Sequence, residues 1–169
     1  LARGLGVTNI DHRLRQADFS DQDMAPVFPW LGQRLEDLEK IKAVLLIGSN
    51  VRMEQPLAGH RLRKAALDGG RIMFINPRDF EFRFPVAAKV VADPVGMVAA
   101  LAGVAQAIAE LKGEPIPARL GLARLANLIT GSMVGDTERA IAAHLVNNAP
   151  ATVLLGNLAV SHPSFAQIR

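Results

Sequence analysis

The chain contains no cysteine and no tyrosine, and it has only seven Phe and one Trp among 169 residues. The lack of cysteine excludes a disulfide scaffold, a thiolate zinc site, an iron–sulfur cluster and a cysteine nucleophile within these residues. Because aromatic residues are scarce, we expect a core of Ala, Val, Leu and Ile. Half of the residues are apolar, which suits one ordinary domain or two small domains that share an interface.

The chain also has little excess charge of either sign. Nineteen Lys and Arg residues stand against sixteen Asp and Glu residues, which leaves a net charge of +3. The isoelectric point of about 9.8 is high because, without Cys or Tyr, little titrates between His and Lys. The small net charge and the lack of Tyr rings for stacking on bases argue against a nucleic-acid partner.

Long hydrophobic runs are missing as well. The uncharged stretch 94–109 is rich in Ala and Gly, whereas a membrane span needs about 20 strongly apolar residues. We therefore expect this stretch to form a buried helix that does not insert into a membrane. If the helix is partly exposed when this chain is isolated, it could promote self-association of the chain. The first residues resemble the end of one helix, and the last residues resemble the start of another. We therefore expect this chain to be an internal piece of a longer protein.

Apolar runs alternate with helical patterns along the rest of the chain. Each predicted strand is short and closed by Gly or Asn, and Asp93-Pro94 is a favourable helix start. Such alternation predicts an α/β fold, a Rossmann-like parallel sheet with helices on both faces. We divide the single domain into an N-terminal segment 1–40, a first βαβ portion 41–112 and a final portion 113–169. The predicted strands are 43–48, 71–75, 86–91 and 151–155, and the predicted helices are 54–67, 93–112, 119–129 and 136–147.

The residues that follow three of these strands are candidates for a binding pocket. In parallel sheets, ligands bind beyond the carboxyl ends of the strands, where Gly allows close approach and free N–H groups can bind an anion. The same residue types are also common in plain turns, and neither Gly-x-Gly-x-x-Gly nor a P-loop motif is present. The candidates for this pocket are Gly48, Asn50, Arg52, Asn76, Arg78, Gly156 and Asn157.

Other polar clusters have a functional and a structural interpretation. The basic run 60–64 fits phosphate or partner contact, or a solvated helix face. The acidic segment 18–23 fits a cation site or, since it lacks the Gly and distal Glu of a calcium loop, a capping loop. The four His are not paired at metal-ligand spacing, and no catalytic constellation is present.

Three segments together resemble one family. They are Asn-Ile-Asp-His-Arg-Leu-Arg-Gln at 9–16, Val-Leu-Leu-Ile-Gly-Ser-Asn-Val-Arg-Met-Glu-Gln-Pro at 44–56, and Ile-Asn-Pro-Arg-Asp at 75–79. The chain resembles the molybdopterin oxidoreductase superfamily, which includes formate dehydrogenase and dimethyl sulfoxide reductase. Within it, the resemblance is to the large iron–sulfur subunits of bacterial NADH–quinone oxidoreductase, respiratory complex I, over the whole chain.

The resemblance also implies a cofactor pocket that lacks side chains needed to bind the cofactor. Matching 9–16 to formate dehydrogenase-like members puts Ala17 where the family has the Cys or selenocysteine that ligates the metal, and a methyl group cannot ligate molybdenum. Asp18 lies one residue away, so an oxygen ligand to the metal remains an alternative. Relatives that bind a guanine-bearing pterin typically have Asp where this chain has Asn76. The resemblance implies no catalytic and no metal-binding residue here.

The function that the resemblance implies is a cofactor-free structural domain that supports NADH-to-quinone electron transfer. Iron–sulfur clusters are then expected only in a more N-terminal part of the full-length subunit. The expected partners are other subunits of the peripheral arm, on the cytoplasmic side of the bacterial inner membrane. The alternative is the nucleotide-binding domain of a true molybdopterin-dependent oxidoreductase, such as a formate dehydrogenase.

Overall fold

A computed structural model of the chain describes residues 3–8, 18–21, 23, 30–114 and 133–169. Among these residues, the 3₁₀ helices Arg3–Leu5 and Leu35–Lys40 precede the first strand. The strands are β1 (Ala43–Ile47), β2 (Arg71–Asn76), β3 (Ala88–Val91) and β4 (Ala151–Leu155). The helices are α1 (Val51–Glu54), α2 (Pro56–Leu67), α3 (Pro94–Lys112), α4 (Asp136–Asn147), α5 (Asn157–Val160) and α6 (Phe165–Ile168).

The four strands form one parallel sheet in the order β3-β2-β1-β4. In β1, Ala43 pairs with Arg71 of β2 on one side and with Ala151 of β4 on the other. The direction in which successive strands are added reverses at β1. In such sheets a ligand crevice lies at this reversal, outside the carboxyl ends of β1 and β4. The predicted α/β fold with a parallel sheet is confirmed.

The sheet is buried on both faces, which explains why its inner strands are continuous apolar runs. Alternate residues of β1, Val44 and Leu46, pack with Leu62 of α2. Leu45 and Ile47 point the other way, into the cluster that α3 and α4 complete. Because side chains alternate between the two faces of a strand, a run such as 43–47 supplies two cores at once.

The connection from β2 to β3 crosses the sheet without a helix. Its residues alternate between half-buried and exposed, and Phe82 and Phe84 pack against the same core cluster as α2. The Phe82 ring lies 5.1 Å from that of Phe74 and 5.3 Å from that of Phe84, measured between centroids. These rings supply the apolar cover that a crossover helix usually provides.

Helix α3 forms as its sequence predicts. The Asp93 side chain accepts a 2.7 Å hydrogen bond from the Gly96 N–H, and the helix ends at Gly113 with a φ of 65°. By length and composition it could cross a membrane. Its Met97, Val104 and Ala107 side chains are buried in the core cluster against the sheet, as in the core helix of a globular domain. Self-association of this chain stays a prediction.

Several predicted boundaries need correction. The helix predicted over 54–67 is two helices, because Pro56 begins α2 and keeps Gln55 before it out of the helical conformation, with a φ of −139° and a ψ of 69°. Strand β3 begins at Ala88, two residues later than predicted. A helix begins near the end of the chain, as predicted, but it begins at Phe165, with Pro163 before it instead of in its first turn. The predicted helix 119–129 lies outside the described residues.

Leu46 tests the two-faced core. It is 0% exposed, so Leu46→Ala leaves a cavity and should lower the free energy of unfolding by about 2–5 kcal/mol. Urea unfolding followed by circular dichroism measures this change. As a matched control, Leu67→Ala removes a side chain that is 62% exposed and should change stability by less than about 0.5 kcal/mol. Equal effects of the two substitutions would contradict the assigned core.

Candidate functional site

The candidate pocket residues lie where three strands end at one edge of the sheet, here called the carboxyl edge. The strand hydrogen bonding continues one residue past β1 and β4. The Gly48 N–H donates to the Ile75 carbonyl, and the Gly156 N–H donates to the Ile47 carbonyl, each at 2.9 Å. The structure therefore brings the loops after β1, β2 and β4 together, as the sequence predicts.

Two glycines allow the chain to pack against itself at this edge. Gly48 has a φ of 55°, and a Cβ there would lie 2.3 Å from the backbone nitrogen of Ala159. A Cβ at Gly156 would lie 2.4 Å from the Cα of Ser49. Both contacts are far below van der Waals distance, so only glycine fits at either position. The neighbours that these glycines accommodate are the chain's own loops after β1 and β4.

Asn76 ties the end of β2 to the loop after β1. The side chain is fully buried; its Oδ1 accepts from the Ser49 N–H at 2.7 Å, and its Nδ2 donates to the Ser49 carbonyl at 3.1 Å. An Asp here would present a second oxygen to that carbonyl, whereas the amide supplies the needed donor. These two hydrogen bonds explain the amide at this position without reference to a ligand.

Glu54 joins two loops of the carboxyl edge, and it is not among the site residues predicted from the sequence. Its Oε1 accepts from the Asn50 N–H at 2.7 Å and its Oε2 from the Asn157 N–H at 2.8 Å. Free N–H groups of this kind, at the starts of helices, are the ones that bind phosphate in nucleotide sites. The sequence contained a signal for the bond to Asn50. An acidic residue four positions after Asn50 resembles the Glu of a capping box, whose side chain bonds a backbone N–H at a helix start.

The other candidates at this edge differ in how far they are exposed to solvent. Arg52 and Arg78 are exposed, and within the described part of the chain neither has an ion-pair partner. The side-chain Oδ1 of Asn50 is buried and accepts no hydrogen bond.

Asp18, the acidic residue next to the predicted metal-ligand position, is bound to other groups of the chain. Its Oδ2 accepts from the Ala166 N–H of α6 at 2.9 Å, and its Oδ1 accepts from the Ser20 N–H at 3.1 Å and from the Ser20 hydroxyl at 2.8 Å. These bonds, first that from Ala166, lower the pKa of the Asp18 carboxyl. Ala17 itself and residues 9–16 lie outside the described residues.

The other polar clusters support structural interpretations. Glu39 accepts from Arg61 and from Lys64 of the basic run, and these bonds lower the pKa of its carboxyl. Asp21 binds the Arg169 Nε at 2.9 Å, which fastens the acidic segment to the end of α6. In the ranges that the structure describes, no group of three His, Asp or Glu side chains is arranged to hold a metal ion.

Comparison with known proteins places the chain among oxidoreductases. A family model described as "Molybdopterin oxidoreductase" matches residues 1–168, nearly the whole chain. The curated proteins give no match. The matched region includes β1, β2 and β4 together with the loops that form the carboxyl edge.

Glu54→Gln tests the link between the two loops. Glutamine has one acceptor oxygen, and its amide nitrogen would face an N–H group, so one of the two bonds is lost. We expect the free energy of unfolding to fall by about 1–3 kcal/mol, measured by urea unfolding. Glu114 is exposed, and Glu114→Gln should change stability by less than about 0.5 kcal/mol. If both variants are as stable as the original chain, Glu54 does not hold the loops together.

Asp18→Asn tests the capping contact through its pH dependence. Since the folded state lowers the Asp18 pKa below 3.8, the carboxylate stabilises the fold fully above that pH, and this contribution is lost as the pH falls through the lowered pKa. The stability difference between the original chain and Asp18→Asn should therefore be largest near neutral pH and should shrink in acid. Asp23→Asn, at an exposed position, is the control; a difference for Asp18→Asn that is independent of pH would contradict this assignment.

Proposed function

Because the chain belongs to the molybdopterin oxidoreductase family, we propose that it is a structural domain of an oxidoreductase that works without the family's cofactor. The observation that carries this proposal is the closed carboxyl edge. The Glu54 carboxylate accepts from the Asn50 and Asn157 N–H groups, so these two donors are not free to bind a phosphate. The resemblance of 9–16 and 44–56 supports the more specific proposal, that the domain is part of the large iron–sulfur subunit of NADH–quinone oxidoreductase.

The residues at the carboxyl edge do not fit a pterin nucleotide. Such a group carries negatively charged phosphates, which the Glu54 carboxylate would repel. The close approach that Gly48 and Gly156 permit is already used by Ala159 and Ser49. A nucleotide would have to displace these internal contacts to reach the backbone N–H groups.

The metal end of the cofactor lacks a ligand as well. Ala17, at the position that the family resemblance assigns to the ligand, offers only a methyl group. Asp18 already accepts three hydrogen bonds, and it would have to give up the cap of α6 to ligate a metal. We therefore derive no catalytic step through molybdenum or tungsten for this chain.

In this proposal the domain contributes shape and contact surface to the enzyme. Electrons from NADH would pass to quinone through iron–sulfur clusters outside these residues, since the chain has no Cys to hold one. The domain would lie on the cytoplasmic side of the bacterial inner membrane, against other subunits of the peripheral arm. Its sheet, with a core on each face, needs no ligand to be complete.

The alternative is a nucleotide-binding domain of a true molybdopterin-dependent oxidoreductase. It is favoured by Arg52 and Arg78, which are exposed at the carboxyl edge and could bind phosphates. The buried Oδ1 of Asn50, which accepts no hydrogen bond, could accept one from a base. The closed crevice weighs against this alternative.

Cofactor analysis of the full-length protein separates the two functions. We expect the purified protein to contain no stoichiometric molybdenum or tungsten by mass spectrometry and no pterin by fluorescence after oxidation. A molybdoenzyme produced in the same cells is the control that the cofactor was available. One metal atom and one pterin per chain would overturn the cofactor-free proposal. Copurification of NADH–quinone reductase activity with the tagged protein tests the more specific assignment, and its absence would contradict that assignment.

A further inference from the structure

Strand β4 lies at one edge of the described sheet, where a row of its backbone groups points away from β1. The Pro150 carbonyl accepts from the Lys42 N–H, and the Gly156 N–H donates to the Ile47 carbonyl, each at 2.9 Å. Within the part of the chain that the structure describes, β4 pairs with β1 alone. Since the backbone groups of successive residues alternate between the two edges of a strand, those that face outward belong to Ala151, Val153 and Leu155.

The side chains of β4 are typical of a strand inside a sheet. The strand has no charged residue, and all of its residues except Thr152 are apolar. Leu154 packs against the core on the face that α2 covers, and Leu155 packs against the core on the face that α3 covers. Continuous apolar runs of this kind belong to strands with a neighbour on each side and a layer on each face. We therefore expect a further strand beside β4.

Strand β3, at the other edge of the described sheet, has the protection that natural edge strands carry. Its burial alternates between half-buried and exposed residues. Lys89 is exposed in the strand and binds Asp79, with 2.6 Å between Nζ and Oδ2. A charged side chain, above all Lys, discourages an edge from pairing with another strand. The outer edge of β4 lacks such a charge and is therefore the edge that favours pairing.

The chain leaves β4 on the face of the sheet that an added strand requires. Helix α2, between β1 and β2, packs on one face, whereas α3 and α4, which lead from β3 back to β4, pack on the other. Crossovers between parallel strands are right-handed, so a connection that continues outward past β4 must cross the face of α3 and α4. Ala159 of α5 and Ile168 of α6 are buried in the core cluster on that face. Residues 156–169 therefore follow the path of a right-handed crossover to a strand beyond β4.

We propose that the outer edge of β4 pairs with a further strand, supplied by the part of the same polypeptide that follows residue 169. The outward backbone groups would join its hydrogen-bond ladder, and the crossover would cover Val153, which is 48% exposed. A strand from another subunit or a second copy would not account for the path of α5 and α6. The pairing requires a chain that continues beyond residue 169, as expected for an internal piece, and is independent of whether a cofactor binds.

Hydrogen exchange of the full-length protein tests the pairing. The N–H groups of Val153 and Leu155 should exchange about 100-fold more slowly than in an unfolded peptide, because each would donate to the added strand. Mass spectrometry with fragmentation to single amides measures these rates. The matched control is Val91 of β3, whose N–H faces outward since the next one, at Ala92, donates to the Asn76 carbonyl; we expect it to be unprotected. Unprotected N–H groups at Val153 and Leu155 would overturn the pairing.

Photo-cross-linking of the full-length protein identifies the occupant. A diazirine-bearing lysine analogue replaces Ala151, which is exposed at the start of β4, and the cross-linked peptides are identified by mass spectrometry. We expect an intramolecular adduct with an apolar segment that follows residue 169. The same analogue in place of Lys89 in β3 is the matched control and should not reach that segment.

The outcomes of the cross-linking separate the possible occupants. An adduct from position 151 with another subunit, with a second copy or with a segment that precedes residue 1 overturns the proposal. Adducts confined to residues 1–169, no adduct, or an equal adduct from position 89 overturn it as well. The exchange measurement uses the unsubstituted protein, so it remains decisive if the variant at Ala151 fails to fold.

Discussion

The carboxyl edge of this domain depends on one carboxylate with two backbone donors. Glu54 receives the N–H of Asn50, which follows β1, and the N–H of Asn157, which follows β4. Because β1 and β4 are neighbours in the sheet but far apart in the chain, this contact closes the point where the strand order reverses. Together with the backbone bonds and glycine contacts between the loops after β1 and β4, it joins α1 to the start of α5.

The domain has the architecture of a binding fold, while several polar groups at its carboxyl edge bond to one another. Asn76 bonds both the N–H and the carbonyl of Ser49, and Gly48 and Gly156 admit neighbouring backbone. A parallel sheet of this kind is stabilised by apolar burial on its two faces, which is independent of what lies at the strand ends. Binding chemistry can therefore be lost at the carboxyl edge while the fold persists.

The elements that were predicted best are those whose signals are local. The apolar run of β1 and the Asp93 cap of α3 each lie within a few residues, so the chain specifies them directly. The break between α1 and α2 was missed, although Pro56 supplied the signal for it. No helix was predicted between β2 and β3, and the residues that the structure describes there form none. The packing of Phe82 and Phe84 was not predicted, because it depends on Phe74 in the strand beneath them.

The sequence by itself determined the α/β order, the parallel strands, the absence of thiolate chemistry and the loops at which a ligand would bind. Only the tertiary structure decided what those loops bind, since the acceptor at Glu54 and one of its donors, at Asn157, are separated by 103 residues. Glycine and asparagine after a strand are equally compatible with a nucleotide, a turn or a neighbouring loop. The choice among these depends on which groups the folded sheet brings within hydrogen-bonding distance, and here it brings the chain's own carboxylate.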